Sequence, residues 1–342
     1  MSLKNLNAKR KNHKFLKSKL YKKKIKQIYK KFEKSLNIQN NFAVAVSGGP
    51  DSLALAFLAK IYSIEKKINS QFFIVDHKLR PESTNEAKNV KKLLKKISID
   101  AKILSWKGQK PLKNIQSLAR AKRYELLFKQ MDKFKITCLL LGHHSDDLIE
   151  NFFIRILRGS GLKGLTSLDK KTKIRDKNLL RPLLYEKKEN LVFIAKTVFN
   201  FFVEDSSNKD EKYLRIKVRK LILELQKNGF SKSKLFLTLR NLKDSDEVVN
   251  FYVNQSLAKN TKISYDRNRL ILSEEFFKQP HEIIFRSLSN SISLIGKRYY
   301  PVRGKKLDSI VKAINSGKSI KMTLGGCIIE KVNQTVIISR EP

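Results

Sequence analysis

Cysteine is nearly absent from this 342-residue chain. Two residues, Cys138 and Cys327, cannot build a disulfide scaffold or a four-cysteine metal site. No run of about 18 apolar residues occurs, so no membrane-spanning helix is expected. The most apolar stretch, 191–203, is broken by Lys196 and Asn200. The N-terminus lacks the short apolar core of a signal peptide, which points to a cytoplasmic protein. Acidic side chains are scarce as well: 31 against 73 Lys and Arg, a formal net charge of +42. Hydrophobic residues nevertheless make up 41%, enough to bury a core, so wholesale disorder is excluded. At about 150 residues per domain, the length suggests two domains.

An excess of positive charge on this scale exceeds what solubility requires and points to a polyanionic partner, because each phosphate neutralised releases counterions. The charge is uneven. Residues 1–40 hold 14 basic side chains and one acid, Glu33. Apolar residues at 21, 25, 28 and 32 follow helical spacing, so the second half of this extension reads as a basic amphipathic helix. It suits nucleic acid, or alternatively a membrane surface; the plainer reading is a loose, solvated extension.

From residue 41 onward, short apolar runs alternate with helical patterns. Phe42–Val46, Phe72–Val75, Ile103–Leu104 and Ile136–Leu141 read as buried strands. Helices are expected over Asp51–Glu65, from Ser83 (with Glu86 as a capping box), through Leu118–Met131, and from Ser145. This alternation implies an α/β fold with a mainly parallel, doubly wound sheet. Ligands in such sheets bind beyond the carboxyl ends of the strands. Residues 221–295 read as helical, and Ser319–Ser339 alternates like a small antiparallel set with turns at Gly325-Gly326 and Asn333-Gln334. The expected organisation is a basic extension (1–40), a nucleotide-binding catalytic domain (41–220), and a helical second domain with a small C-terminal α+β tail (221–342), a region suited to binding RNA.

The strongest local signal is Ser47-Gly48-Gly49-Pro50-Asp51-Ser52, directly after a strand and opening a helix. Two glycines allow close backbone approach to an anion, and the helix-start amides with the Ser47 and Ser52 hydroxyls form a phosphate cradle. Asp51 would repel phosphate unless a divalent cation bridges them. The second cluster is Gly142-His143-His144-Ser145-Asp146-Asp147-Leu148-Ile149-Glu150-Asn151. His143 and Asp147 are four apart on one helical face, continued by Asn151, Arg155 and Arg158. Asp76, His77 and Arg80 follow the second strand. Arg120 and Arg123 are three apart on one helix. Two matches fail on context: Gly159–Gly164 fits GxGxxG but follows a helix, and Gly317-Lys318-Ser319 lacks the first glycine of a Walker A loop.

SGGPDS resembles the PP-loop of the ATP pyrophosphatases, whose adenine nucleotide alpha hydrolase-like fold is the one expected above. With VDHKLR (75–80), NIQSLARAKRY (114–124), LGHHSDDLIENFFIRILRGSGLKGL (141–165), RPLL (181–184) and EDSSNKDEKYLR (204–215), the ordered set is similar to the bacterial tRNA(Ile)-lysidine synthases. It covers residues 42–219, and 220–342 match only loosely. The resemblance implies an ATP-dependent ligase. The C2 carbonyl of the wobble cytidine in a CAU anticodon of tRNA(Ile) is adenylated. The ε-amine of free L-lysine then displaces AMP, giving lysidine and changing codon reading from AUG to AUA. It implies ATP binding by Ser47, Gly48, Gly49, Pro50, Asp51 and Ser52, and Mg²⁺ on Asp51. Asp51, His143, Asp147 and Arg123 would be catalytic. Contacts to tRNA or lysine would come from Asp76, His77, Arg80, Arg120, His144, Glu150, Arg158, Asp205, Asn208, Arg215 and Arg219. Ile216 departs from the family, which commonly has Asn after the first Arg of its RN..R pattern. A PP-loop tRNA thiolase is the alternative enzyme, but the two cysteines form no CxxC pair. A non-catalytic RNA-binding protein is the alternative of a different class. The oligomeric state stays open, a homodimer being one option.

Overall fold

The computed structural model describes residues 14–108, 115–174, 176–202, 214–264, 268–297, 302, 304–316 and 320–341. Asn114, Asp205, Ser207, Asn208 and the tripeptide 317–319 lie outside the described residues. The chain divides into two compact units, Met1–Leu235 and Phe236–Pro342.

The first unit is built on a six-stranded sheet of order β3-β2-β1-β4-β6-β5. Its strands are β1 (Phe42–Val46), β2 (Ser70–Asp76), β3 (Ala101–Ser105), β4 (Cys138–Leu140), β5 (Lys171–Ile174) and β6 (Lys177–Leu180). All neighbours pair parallel except β5 with β6, an antiparallel edge. The helices, in chain order, are α1 (Lys23–Lys34), α2 (Pro50–Glu65), α3 (Ser83–Lys95), α4 (Ile115–Lys133), α5 (Ser145–Leu157), α6 (Leu162–Leu165), α7 (Lys188–Phe199) and α8 (Leu214–Lys227). The continuous apolar run of β1 is buried because helices cover both faces. Helix α2 is apolar nearly all round, with Leu53 through Ala59 inaccessible, because it is sandwiched against the sheet and α7. Strand order reverses between β1 and its two neighbours β2 and β4. That is the topological switch point, and in sheets of this kind ligands bind beyond the carboxyl ends of the strands there.

Helix α1 is no loose tail. Ile25, Ile28, Tyr29 and Phe32 are buried in the same core as β1 and α2. Tyr21, expected on that face, is instead 69% exposed, and Tyr29 takes its place. The Tyr29 hydroxyl donates to Glu65 at 2.5 Å. The GxGxxG match at 159–164 follows α5 and runs into the short α6, so it is a helix-to-helix turn. The expected capping box at Ser83 is absent. Glu82 is the N-cap without a side-chain bond, and the Ser83 hydroxyl donates to Asp76.

The second unit begins within α9 (Lys232–Asn260) and carries a five-stranded antiparallel sheet of order β7-β8-β11-β10-β9. These strands are β7 (Thr261–Ser264), β8 (Arg269–Leu272), β9 (Lys321–Leu324), β10 (Cys327–Val332) and β11 (Thr335–Arg340). The tail hairpins match the expectation, with left-handed Gly325, Gly326 and Asn333 at the turns. The β7–β8 hairpin corrects the all-helical expectation for 221–295. Helices α10 (Glu274–Phe277), α11 (His281–Ile295) and α12 (Gly304–Asn315) complete this unit, with Leu288, Ile292, Leu307 and Ile338 in its core.

Candidate active site

The turn after β1 is organised by one hydroxyl. The backbone N–H groups of Ser47 and Gly48 donate to Ser52 Oγ at 3.1 and 3.0 Å, and Ser52 Oγ donates to the Gly49 carbonyl at 3.0 Å. Gly48 has φ of 94°, a conformation that glycine adopts without strain. Pro50 occupies the first turn of α2, and no side chain caps that helix. Its first-turn amides therefore face the crevice unpaired by any cap, and the macrodipole adds positive potential. Ser52 shapes the loop from behind, while the helix start is the part suited to an anion.

β4 ends against this turn. A Cβ on Gly142 would lie 3.2 Å from the Asp51 carbonyl and from Ser52 Cα, so glycine allows the two strand ends to meet. His144 is thereby delivered beside Asp51, with His143 directly before it in the chain. His144 is the N-cap of α5. Its Nδ1 accepts from Asp146 N–H at 3.2 Å, and its own N–H donates to Asp147 Oδ2 at 3.0 Å. Nε2 of His144 lies 3.5 Å from Asp51 Oδ2 and 3.6 Å from Asp147 Oδ2. Burial disfavours its imidazolium, but Asp51, Asp147 and Asp146 outweigh that and raise its pKa. His143 precedes the helix rather than sharing a helical face with Asp147. It is nevertheless close enough to couple to Asp147, Arg181, Arg120 and Arg215, and burial first, then the arginines, pushes it down to about 4. His143 is thus an uncharged imidazole at neutral pH, and its Nδ1 is buried without a partner among the described residues.

Glu150 is the anchor of a second layer. Its side chain is 4% exposed and binds Arg215 Nε at 2.6 Å and Arg219 Nε at 2.5 Å, both from α8. Arg215 also reaches Asp147 Oδ1 at 3.0 Å. Burial would raise the Asp147 carboxyl, but His144, His143 and Arg215 hold it below the ordinary carboxylate range. Lys232 pairs with Asp146 at 2.9 Å. Ile216, the departure from the family pattern, is buried and leaves Arg215 and Arg219 free to face Glu150.

At β2, Arg123 Nε donates to His77 Nε2 at 3.4 Å. Burial and the Arg123 charge push His77 down to about 4. Asp76 accepts from Lys78 N–H, Ser83 Oγ and Thr84 Oγ1 at 2.9, 2.9 and 2.7 Å. Both its oxygens are engaged, and these bonds shape the β2–α3 turn. Arg80 pairs with Glu86 at 3.2 Å, outside the cluster. Arg120 stacks over Tyr124 at 5.3 Å. Arg158 caps the end of α5, beside Arg155. Arg181 was not singled out from the sequence. It is 4% exposed, donates to the Asp169 carbonyl and Thr172 Oγ1, and shares its surroundings with His143 and Arg120. Its only local signal is its place in RPLL, at the end of β6.

Whether Mg²⁺ fits can be judged from the donors. Asp51 Oδ1 is buried and has no hydrogen-bond partner among the described residues, a hard oxygen at the proposed phosphate cradle. No cluster of three or more metal-ligating side chains occurs among the described residues. A cation here would be shared between Asp51 and substrate phosphates, as is usual for Mg²⁺. Neither thiol suits sulfur transfer. Cys138 opens β4, at the strand end away from the turn, and burial pushes its thiol up to about 12. Cys327 is inaccessible in the core of the second unit. No described helix is long and apolar enough to cross a membrane.

The PP-loop domain family matches residues 17–226. A tRNA(Ile)-lysidine synthase of Wolbachia sp. subsp. Brugia malayi is 34% identical over 307 residues, covering 88% of this chain and 71% of that protein. Its counterpart from Rickettsia akari is 31% identical, covering 92% and 74%. Among solved structures, a U34-tRNA thiolase of Methanococcus maripaludis superposes with a TM-score of 0.55 at 20% identity, covering 66% of this chain and 79% of that one. That likeness is one of fold.

Proposed function

The chain belongs to the tRNA(Ile)-lysidine synthases of the PP-loop family, ATP-using ligases that form a C–N bond, and we propose that its crevice joins free L-lysine to C2 of the wobble cytidine in a CAU anticodon. The observation that carries this reading is the contact at Gly142. It brings the phosphate turn of β1 and the His143–Glu150 segment into one crevice, linked by Asp51, His144 and Asp147.

ATP sits with its phosphates on the uncapped start of α2. Asp51 would hold Mg²⁺ through its unpartnered Oδ1, and the metal would supply charge neutralisation at the phosphates. The cytidine O2 attacks the α-phosphorus and pyrophosphate leaves. Arg123, Arg120 and Arg181 offset the negative charge that builds there. The amide-like oxygen, a poor leaving group, then departs within AMP when the lysine ε-amine adds to C2. The amine attacks only when neutral, so a proton must be removed. Glu150 is occupied by two arginines, and Asp147, held low by its neighbours, favours binding the lysine ammonium over taking its proton. His143, uncharged and with an unpartnered Nδ1, is the base. Bound phosphates offset the arginines that depress it, which brings it toward its ordinary value when substrate is present.

The test is incorporation of labelled lysine. The intact protein with ATP, Mg²⁺, L-lysine and a CAU-anticodon isoleucine tRNA should give labelled RNA, with AMP and pyrophosphate in equal amounts. RNA that gains sulfur in place of lysine would reject the proposal in favour of a thiolase.

A further inference from the structure

We propose that the solvent face of α1 is a docking ridge for the phosphate backbone of the tRNA, next to the nucleotide that enters the crevice. The inference rests on the function proposed above and extends it to a surface outside the catalytic cluster.

Helix α1 has two unlike faces. Ile25, Ile28, Tyr29 and Phe32 lie on one side in the core. At 100° per residue, Lys23, Lys26, Lys30 and Lys34 fall on the opposite side, and all four are exposed. The only acid on the helix, Glu33, is engaged by Lys66 at 2.8 Å. None of those four lysines has a carboxylate partner among the described residues. Lys14 and Lys17, in the helical segment 14–20, are exposed as well. Four side chains buried in the core anchor the helix firmly. The lysines are therefore presented on a fixed scaffold, and little chain entropy is lost when they meet a partner.

The ridge also leads to the crevice. Lys31 reaches Glu186 at 3.5 Å, and the Ser35 hydroxyl donates to the Pro182 carbonyl at 3.4 Å. The Glu186 carbonyl in turn accepts from Ser145 N–H at 3.1 Å, at the start of the helix that bears Asp147 and Glu150. The end of α1 thus rests on the 181–186 turn that supports the catalytic cluster. A membrane fits this helix poorly, because surface binding requires a free apolar face and this one is spent in the core. An RNA backbone requires only the row of cations.

The test compares two charge-matched variants of the whole protein. K23Q/K26Q/K30Q/K34Q neutralises the ridge. K88Q/K92Q/K95Q/K96Q neutralises four exposed lysines on and just after α3. Binding of the CAU-anticodon isoleucine tRNA is measured between 50 and 200 mM salt, on the order of the range in which phosphate contacts dominate. The ridge variant should bind at least about tenfold more weakly, with a logarithmic salt slope shallower by roughly 2–4, while the α3 variant loses less than about threefold. Lys→Arg at the four ridge positions should restore binding, which separates lost charge from lost folding. Equal losses in the two variants, or no loss in the ridge variant, would overturn the proposal. So would a ridge variant that keeps tRNA but no longer binds phosphatidylserine vesicles. Wild-type protein that binds tRNA through the ridge yet never incorporates lysine would contradict the proposed function and not the ridge.

Discussion

Glu150 offers the sharpest test of the electrostatic core. Its carboxylate is 4% exposed and holds two guanidinium groups, at 2.6 and 2.5 Å. Removing one member of a buried ion pair costs about 3–5 kcal/mol. Here the arginine side chains are 49% and 33% exposed, so water recovers part of that. Discounted for screening, Glu150→Gln should cost about 1–2 kcal/mol. The amide keeps one acceptor but turns an NH₂ toward an arginine donor. In a unit of this size each kcal/mol moves Tm by about 2–4 °C, so a drop of roughly 2–8 °C is expected. The only tryptophan, Trp106, lies in the first unit, so its fluorescence reports that unit's unfolding. A double-mutant cycle with Arg219→Gln isolates the pair, and a coupling of about 1 kcal/mol is expected. If the two changes add within about 0.3 kcal/mol, Glu150 and Arg219 do not act as a buried pair and the reasoning fails.

Two further outcomes follow from the geometry. Gly142→Ala forces a methyl against the Asp51 carbonyl and Ser52 Cα, at a cost of about 1–3 kcal/mol. The concentration of ATP for half-saturation should rise at least about tenfold, whereas Gly161→Ala, which meets nothing within 4 Å, should change little. Stability should also fall with acid. His77 and His143 are pushed down to about 4 in the fold, against an ordinary value of 6.5. Between those values the unfolded chain binds more protons, so stability present above pH 6.5 is lost as pH falls toward 4, by about 1–3 kcal/mol per histidine. Asp147 and Asp76, held low, add losses in the same direction at lower pH. Urea midpoints followed by Trp106 at pH 7 and 5 check this, and His143→Gln should flatten the dependence. A midpoint unchanged across that range would show that neither imidazole is buried as an uncharged group.

Much of the catalytic unit was legible because its signals are local. Uninterrupted apolar runs marked β1, β2 and β4, and the Gly-rich turn and the HHSDD segment stood directly after two of them. What escaped was long-range or weakly patterned. Strands β5 to β8 are four residues each, partly exposed, and KTKI or TKIS does not differ from loop sequence. The pairing of Arg215 with Glu150, 65 residues away, has no counterpart in spacing. The contacts that Ser83, Thr84 and Glu86 make with Asp76 and Arg80 could not be read from spacing either. The His144 cap was unforeseen because histidine is not among the usual capping residues. Arg181 is isolated in sequence and becomes notable only beside His143 and Arg120. Helix α1 was recognised by its period, but whether its apolar face was covered could be known only from the packed core.

The central claim is that the crevice transfers adenylate to the cytidine carbonyl oxygen before lysine attacks. Carrying ¹⁸O at the C2 oxygen of the wobble cytidine through one turnover tests it at the bond concerned. The label should appear in the AMP released, because the oxygen leaves with phosphorus. Unlabelled AMP formed together with lysine-bearing RNA would contradict it.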